Sequence, residues 1–249
     1  MNDFATRLKQ QQLLLGTMLT LPSPETAEMI SKCGFDWLFL DGEHGPASTL
    51  DWQRVMQAVG ERCACVLRVP SNSEENIKKA LDIGADGIIV PMVNSAKQAQ
   101  DAVAWSRYPP LGKRGIGLAR AQGYGLDFAD YLARANEDIA VILQVEHIDA
   151  ANNIDAILDV EGVDSIFVGP YDLSASMDKT GQVDDVEVRA VIDRVADACK
   201  DASIPLGYFG VSPSSVRPCI ESGYTLICAG TDADFVTRGA RQTLSELQS

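Results

Sequence analysis

The stretch "VILQVEHIDAANNIDAILDVEGVDSIFVGPYDL" occupies residues 141–173. It opens with an apolar run, 141–146, which suits a buried strand, and closes with a second one, "SIFVG" at 165–169. Between them lies a helix-like stretch with Asp149 at the position of an N-cap. Strand, helix and strand over so short a span form one βαβ unit, whose two strands lie parallel and adjacent. Residues two apart on a strand face the same side. Gln144 and Glu146 therefore point one way, and Leu143 and Val145 the other. A carboxylate buried at a strand end is costly unless something pairs with it, so the partner of Glu146 is the question this stretch raises.

The same unit recurs along the chain. Six further strand-like runs stand at 13–19, 36–40, 65–69, 87–91, 205–210 and 226–230, separated by amphipathic stretches. Several of those stretches open on capping signals: Ser23 with Pro24, Ser71 to Glu74, Asn94 with Ser95, and Ser212 with Pro213. A helical pattern over 232–247 closes the series. Eight βα units in 249 residues predict a single (β/α)₈ TIM barrel over 1–249. A doubly wound open sheet is the alternative. No composition shift or Pro/Ser-rich linker marks a second domain. One connection is long, "SRYPPLGKRGIGLARAQGYGL" at 106–126, and its Gly, Pro and Arg content predicts a loop over the barrel mouth.

Composition narrows the function. The hydrophobic fraction of 46% supports a sizeable core. The polar start, "MNDFATRLKQ", has no apolar signal core, and no apolar run approaches the length of a membrane span. The six cysteines are scattered without zinc-finger spacing and read as reduced packing thiols of a cytoplasmic protein. A net charge of −14 argues against nucleic acid or an anionic membrane as partner and leaves small molecules. An anionic substrate would need positive charge supplied by the site.

Polar residues gather where the barrel strands end, which is where such barrels place their sites. Asp41, Glu43 and His44 follow the second strand in "LDGEHGP", Arg68 ends the third, Gln144 and Glu146 end the fifth, and Asp172 follows the sixth in "GPYDL". Glu146 and Asp172 stand on neighbouring strands, about 4.8 Å apart. Two bare carboxylates that close repel, and a hard divalent cation such as Mg²⁺ or Mn²⁺ removes the repulsion. The plainer alternative is that each acid caps the helix after it, but Asp149 is the better cap there. Asp41, three residues before His44, could orient its ring. His147 must face away from Glu146. Arg68 is expensive in a barrel mouth without an anion. None of the eight lysines lies at a strand end, and only Lys113, in the long connection, could reach the mouth, which argues against a Schiff-base mechanism.

The segments "FDWLFLDGEHGP", "LRVP", "GADGIIVPMV", "KRGIGLAR", "QVEHIDAANNIDAIL", "VDSIFVGPYDLSASM" and "AGTDADF" together resemble the HpcH/HpaI family of metal-dependent class II pyruvate aldolases, over about residues 13–247. The resemblance implies a barrel of the phosphoenolpyruvate/pyruvate type. It implies a divalent metal (Mg²⁺, Mn²⁺ or Co²⁺) on Glu146 and Asp172, with His44 as acid–base residue and Asp41 as its partner. Arg68 and Gln144 would contact pyruvate, with Gly169, Pro170, Tyr171 and Asp172 around it. Asp82 corresponds to a residue that lies near the histidine of an adjacent subunit. A homo-oligomer is implied, trimer or hexamer, with the last helix packing on a neighbouring barrel. Tyr171 stands where some members carry a smaller residue. The expected reaction is reversible cleavage of a 4-hydroxy-2-oxo acid to pyruvate and an aldehyde through an enolate. Decarboxylation or CoA-ester cleavage on the same barrel, and non-catalytic binding of a 2-oxo acid, are the alternatives.

Overall fold

The structure, a computed structural model, describes residues 3–248. Its eight strands are β1 (Leu14–Leu19), β2 (Trp37–Asp41), β3 (Ala64–Arg68), β4 (Gly87–Val90), β5 (Ala140–Val145), β6 (Ser165–Val168), β7 (Leu206–Gly210) and β8 (Leu226–Thr231). They close into a barrel in chain order, every neighbouring pair parallel. The helices are α1 (Phe4–Lys9), α2 (Pro24–Ser31), α3 (Thr49–Val59), α4 (Glu74–Asp82), α5 (Ala96–Ser106), α6 (Phe128–Asp138), α7 (Ile148–Asn152), α8 (Ile154–Leu158), α9 (Pro170–Ser176), α10 (Val186–Asp201), α11 (Pro213–Glu221) and α12 (Asp232–Gln248). Among the described residues no helix is long and apolar enough to cross a membrane.

Period-two alternation splits the core in two. Trp37, Phe39, Val66, Ile142, Phe167 and Cys228 fill the barrel, with Phe39 and Phe167 edge to face at 5.7 Å. Leu38, Leu40, Leu143, Val145, Val168 and Tyr208 face outward and hold the helices. Inward residues therefore recur at every second position, and the polar strand ends Asp41, Arg68 and Gln144 fall on the same inner face, above the aromatic layer. The register sets Asp41 directly beside Arg68. Within the stretch read above only as a polar start, Phe4–Lys9 form α1, whose Phe4 and Leu8 plug the barrel end opposite the mouth.

Most caps fall where the sequence put them: the side chains of Ser23, Ser95 and Ser212 accept the capping bonds of α2, α5 and α11, while α4 is capped by Ser73 within the Ser71–Glu74 stretch and not by Ser71. The helix after β5 differs. Its N-cap is His147, whose Nδ1 accepts from Asp149 N at 3.1 Å, and Asp149 sits in the first turn. A neutral imidazole nitrogen serves as the acceptor once His147 has turned away from Glu146 in extended backbone.

The long connection corrects a second expectation. It follows α5, not a strand, so it lies at the end of the barrel where strands begin, away from the mouth. Arg120 fastens it there, donating to Ile83 O beyond α4 at 2.7 Å. Lys113 lies over the Trp105 ring at 5.4 Å and so belongs to that end too. Of the six cysteines, all free, five are buried and Cys33 is exposed. The closing helix α12 covers its own barrel only at its first turn, where Phe235 packs on the core. Only Asp232 is buried, and Val236, Leu244 and Leu247 are exposed.

Candidate active site

Four strand ends build the site. Asp41 ends β2 and is buried; its Oδ1 accepts from Arg68 Nε at 3.0 Å and lies 2.8 Å from Arg68 Nη2. The same oxygen accepts the backbone N–H of Glu43 at 3.1 Å and of His44 at 3.3 Å. Asp41 thus shapes the turn that carries His44 and fixes Arg68, and it does not touch the His44 ring. That ring is solvent-exposed, with Nε2 3.8 Å from Glu43 Oε2. Gly42 makes the turn possible: a Cβ there would sit 2.5 Å from Arg68 O.

Arg68 ends β3. It is buried, with its guanidinium 5.2 Å above the Phe39 ring and Nη1 3.2 Å from Glu43 Oε2. The sequence left Arg68 short of an anion; Asp41 and Glu43 supply two. Burial raises the Glu43 carboxyl above the usual range, against the pull of Arg68.

Gln144 and Glu146 share the inner face at the end of β5, as the alternation requires. Gln144 Nε2 donates to Glu146 Oε2, and Gln144 Oε1 is buried without a partner. The other carboxylate oxygen, Glu146 Oε1, accepts Met92 N at 2.7 Å. Met92 reaches it from a left-handed backbone, φ 54°, uncommon for a residue with a side chain. Glu146 therefore caps no helix. Burial pushes its carboxyl up to about 7; the Met92 N–H opposes this, and the negative charges of Glu43 and Asp172 add to it.

Asp172 lies in the first turn of α9, where it makes no capping bond and faces the mouth. The approach of β6 to β5 depends on Gly169, where a Cβ would meet Gln144 Nε2 at 2.8 Å and Glu146 Oε2 at 3.2 Å. A cavity of about 220 Å³ results, lined by Asp41, His44, Arg68, Gln144, Gly169, Pro170, Tyr171 and Asp172, with Met18, Phe39, Phe167 and Phe209.

The donor set suits a hard divalent cation. Glu146, Asp172 and the unpartnered Gln144 Oε1 offer oxygen only, and the buried Glu146 carboxyl, raised chiefly by burial, would be relieved by a cation beside it. Among the described residues no three His, Cys, Asp or Glu are grouped to hold a metal. Two carboxylates would leave the remaining positions to water and substrate.

Nine of the ten sequence-predicted site residues thus border this cavity or, as Glu146 does, bond to its lining. Asp82 does not: it ends α4 at the opposite end of the barrel, with Oδ1 2.7 Å from Arg114 Nη2. Sequence reasoning left Glu43 open and missed Met92 and the aromatic lining. The lining had a signal: Phe39 stands two residues before Asp41, and Phe167 two before Gly169, on the same inward period.

The model of the HpcH/HpaI aldolase/citrate lyase family matches residues 15–238 of the chain. The chain belongs to that family. A 2-keto-3-deoxy-L-rhamnonate aldolase of Salmonella gallinarum is 36% identical to this HpcH/HpaI protein over 100% of the chain and 94% of the relative. The Escherichia coli K12 enzyme of the same name is 35% identical over the same shares. A crystal structure of an HpcH/HpaI aldolase/citrate lyase family protein from Burkholderia cenocepacia J2315 superposes with a TM-score of 0.96 at 34% identity, covering all of both chains. This HpcH/HpaI protein is an aldolase, a carbon–carbon lyase.

Proposed function

We propose that this aldolase cleaves a 4-hydroxy-2-oxo acid reversibly to pyruvate and an aldehyde, with a divalent cation, Mg²⁺, Mn²⁺ or Co²⁺, held by Glu146 and Asp172. The observation that carries the reading is Glu146, a buried carboxylate on the inner face beside the unpartnered Gln144 Oε1; burial pushes it up to about 7, with Glu43 and Asp172 adding to this and Arg68 opposing it. A bound cation would supply positive charge against the enolate and neutralise these acids.

The chain's own groups then have distinct roles. Met92 N–H holds one Glu146 oxygen, and Gln144 orients the other. Arg68, aimed by Asp41 and stacked on Phe39, presents fixed donors where enolate charge develops. Gln144, with Gly169 behind it, bounds the pyruvate end of the cavity. His44, exposed at the rim and within reach of Glu43, moves the proton to and from the C4 oxygen. Glu43 pairs with Arg68 and holds the ring side of His44 in a negative field.

Assembly belongs to the same reading. The exposed apolar residues of α12, and Ile116, Leu118 and Leu126 beside Asp82 and Arg114, suit burial against other copies in a trimer or hexamer. Asp82 would then approach a neighbour's His44. We take the enzyme to be a single cytoplasmic barrel.

The test is a metal-supplemented retro-aldol screen over 4-hydroxy-2-oxo acids, reading pyruvate release. EDTA should abolish release and added Mn²⁺ restore it. Full release from metal-free enzyme would overturn the metal assignment.

A further inference from the structure

The cavity has two unlike walls. On the β2, β3 and β5 side stand Asp41, His44, Arg68 and Gln144. On the β1, β6 and β7 side stand Met18, Pro170, Tyr171 and Phe209, with Phe39 and Phe167 as floor; Asp172, also on the β6 side, is the acid that the reading above gives to the cation. The polar groups behind that second wall are already engaged. Asp232, fully buried at the end of β8, accepts Thr20 N at 3.0 Å, Thr20 Oγ1 at 2.9 Å, Leu21 N at 3.0 Å and Ala233 N at 2.8 Å. Thr17 Oγ1 donates to Gly230 O at 3.1 Å. Among the described residues, Tyr171 alone on this wall brings a hydroxyl, and its ring is 41% exposed at the mouth.

We infer that this wall is the acceptor side of the site, and that it selects a small aldehyde with an apolar tail over a hydroxylated one, with Tyr171 as the adjustable panel. The inference rests on the pyruvate-aldolase reading above. With pyruvate against Arg68 and Gln144, and the aldehyde oxygen toward His44, the aldehyde's remaining atoms face Met18, Phe209 and Tyr171. An aldehyde hydroxyl pressed on that surface loses its water and gains no partner, which costs roughly a factor of five or more. An alkyl tail gains contact there instead. The wall also holds no cation for a carboxylated tail, since Arg68 is committed to Asp41 and Glu43.

Propanal and glyceraldehyde make a matched pair, equal in carbon number and differing by two hydroxyls. The measurement is kcat/KM for aldol addition of pyruvate to each by the Mn²⁺-loaded enzyme, referred to the free, unhydrated aldehyde. Propanal should win by about tenfold or more. Tyr171→Ala should bring the ratio toward one by admitting water, while Tyr171→Phe should keep or raise it, because the ring supplies the surface. Exchange of pyruvate methyl protons in D₂O, which needs no aldehyde, separates the two layers. No exchange in the wild-type enzyme would overturn the underlying aldolase reading. Exchange with a ratio of one or less would overturn the acceptor inference alone. A high ratio unchanged in Tyr171→Ala would remove Tyr171 from it, and a ratio that collapses in Tyr171→Phe would assign the selection to the hydroxyl and overturn the apolar-wall account.

Discussion

At the closed end of the barrel Arg107 Nη2 meets Asp164 Oδ2 at 2.7 Å, and at the open end Arg68 Nη2 meets Asp41 Oδ1 at 2.8 Å. Both pairs are buried, yet their surroundings differ. Asp164 also accepts Val141 N at 2.8 Å and lies 3.4 Å from Lys9 Nζ, while Arg107 Nη1 donates to Ile139 O at 2.7 Å. Nearby, Arg114 pairs with Asp82 and lies over the rings of Tyr108 and Tyr131. These pairs are matched in charge, and the network ties loops to strand starts. At the mouth, Arg68 faces Asp41 and Glu43 and is the positive charge felt by Glu146, which with Asp172 adds two carboxylates that form no ion pair among the described residues. A balanced set fixes structure, whereas an unbalanced one is built to meet something positive.

The largest effect expected from breaking this contrast is on stability. Arg107→Met strands Asp164 in a buried site and should lower unfolding free energy by about 3–5 kcal/mol. Urea unfolding would read this, and the protein that remains folded should cleave at a near-native rate. Arg68→Lys should do the reverse. It keeps charge but loses the planar fork, so kcat should fall by roughly 10²–10³, with a smaller stability loss than at Arg107.

Much of this contrast was legible in the sequence, for one physical reason. Inward positions recur every second residue on a strand, so the ends of "DWLFLD", "CVLR" and "VILQVE" could be assigned to one face without coordinates. Gln144 and Glu146 followed from that period, and Asp41, Arg68 and Asp172 from their places at the strand ends. What escaped depended on three-dimensional choices. Whether the carboxylate of Asp41 would take the His44 ring or the Arg68 guanidinium depends on a parallel register that pairs residues 27 apart. The Met92 N–H reaches Glu146 through a left-handed backbone that no residue type at position 92 announces. The 106–126 segment has the composition of a functional loop, but its end of the barrel is fixed by the helix before it. The polar N-terminus hid a plug because its buried side chains, Phe4 and Leu8, are few and flanked by charge.

A pH series sharpens the contrast further. Each end holds a deeply buried acid pushed upward chiefly by burial: Glu146 to about 7 at the mouth, where the half-buried Glu43 is also raised, and Asp86, which accepts Cys65 N at 2.8 Å, to about 6 at the closed end. Below the unfolded-state value, near 4.5 for Glu146 and 3.8 for Asp86, both states hold the proton and no penalty arises. As pH rises from there to the folded value, the unfolded chain releases a proton that the folded chain keeps. Metal-free protein should therefore lose stability across about pH 4–7, each group contributing on the order of 3 kcal/mol at most. Asp86→Asn should remove the lower part of the slope and Glu146→Gln the upper part. Saturating Mg²⁺ should erase only the Glu146 part.

The smallest effect belongs to His147, beside Glu146 in sequence but facing away from it. His147→Ala removes the cap of α7 and should cost about 1 kcal/mol in thermal or urea unfolding, with cleavage unchanged within about twofold. A loss of cleavage comparable to that of Arg68→Lys would place His147 in the site after all.

The central claim is that the charge deficit around Glu146 and Asp172 is met by a divalent cation that makes the pyruvate enolate accessible. Exchange of pyruvate methyl protons in D₂O, followed by proton NMR, tests it most directly, because it isolates enolate formation from every question about the aldehyde. Metal-free enzyme in EDTA should show no exchange above the uncatalysed rate, Mn²⁺ should restore it, and Glu146→Gln should remain inactive at the same Mn²⁺ concentration. Full exchange without metal, or full exchange by Glu146→Gln, would contradict the account.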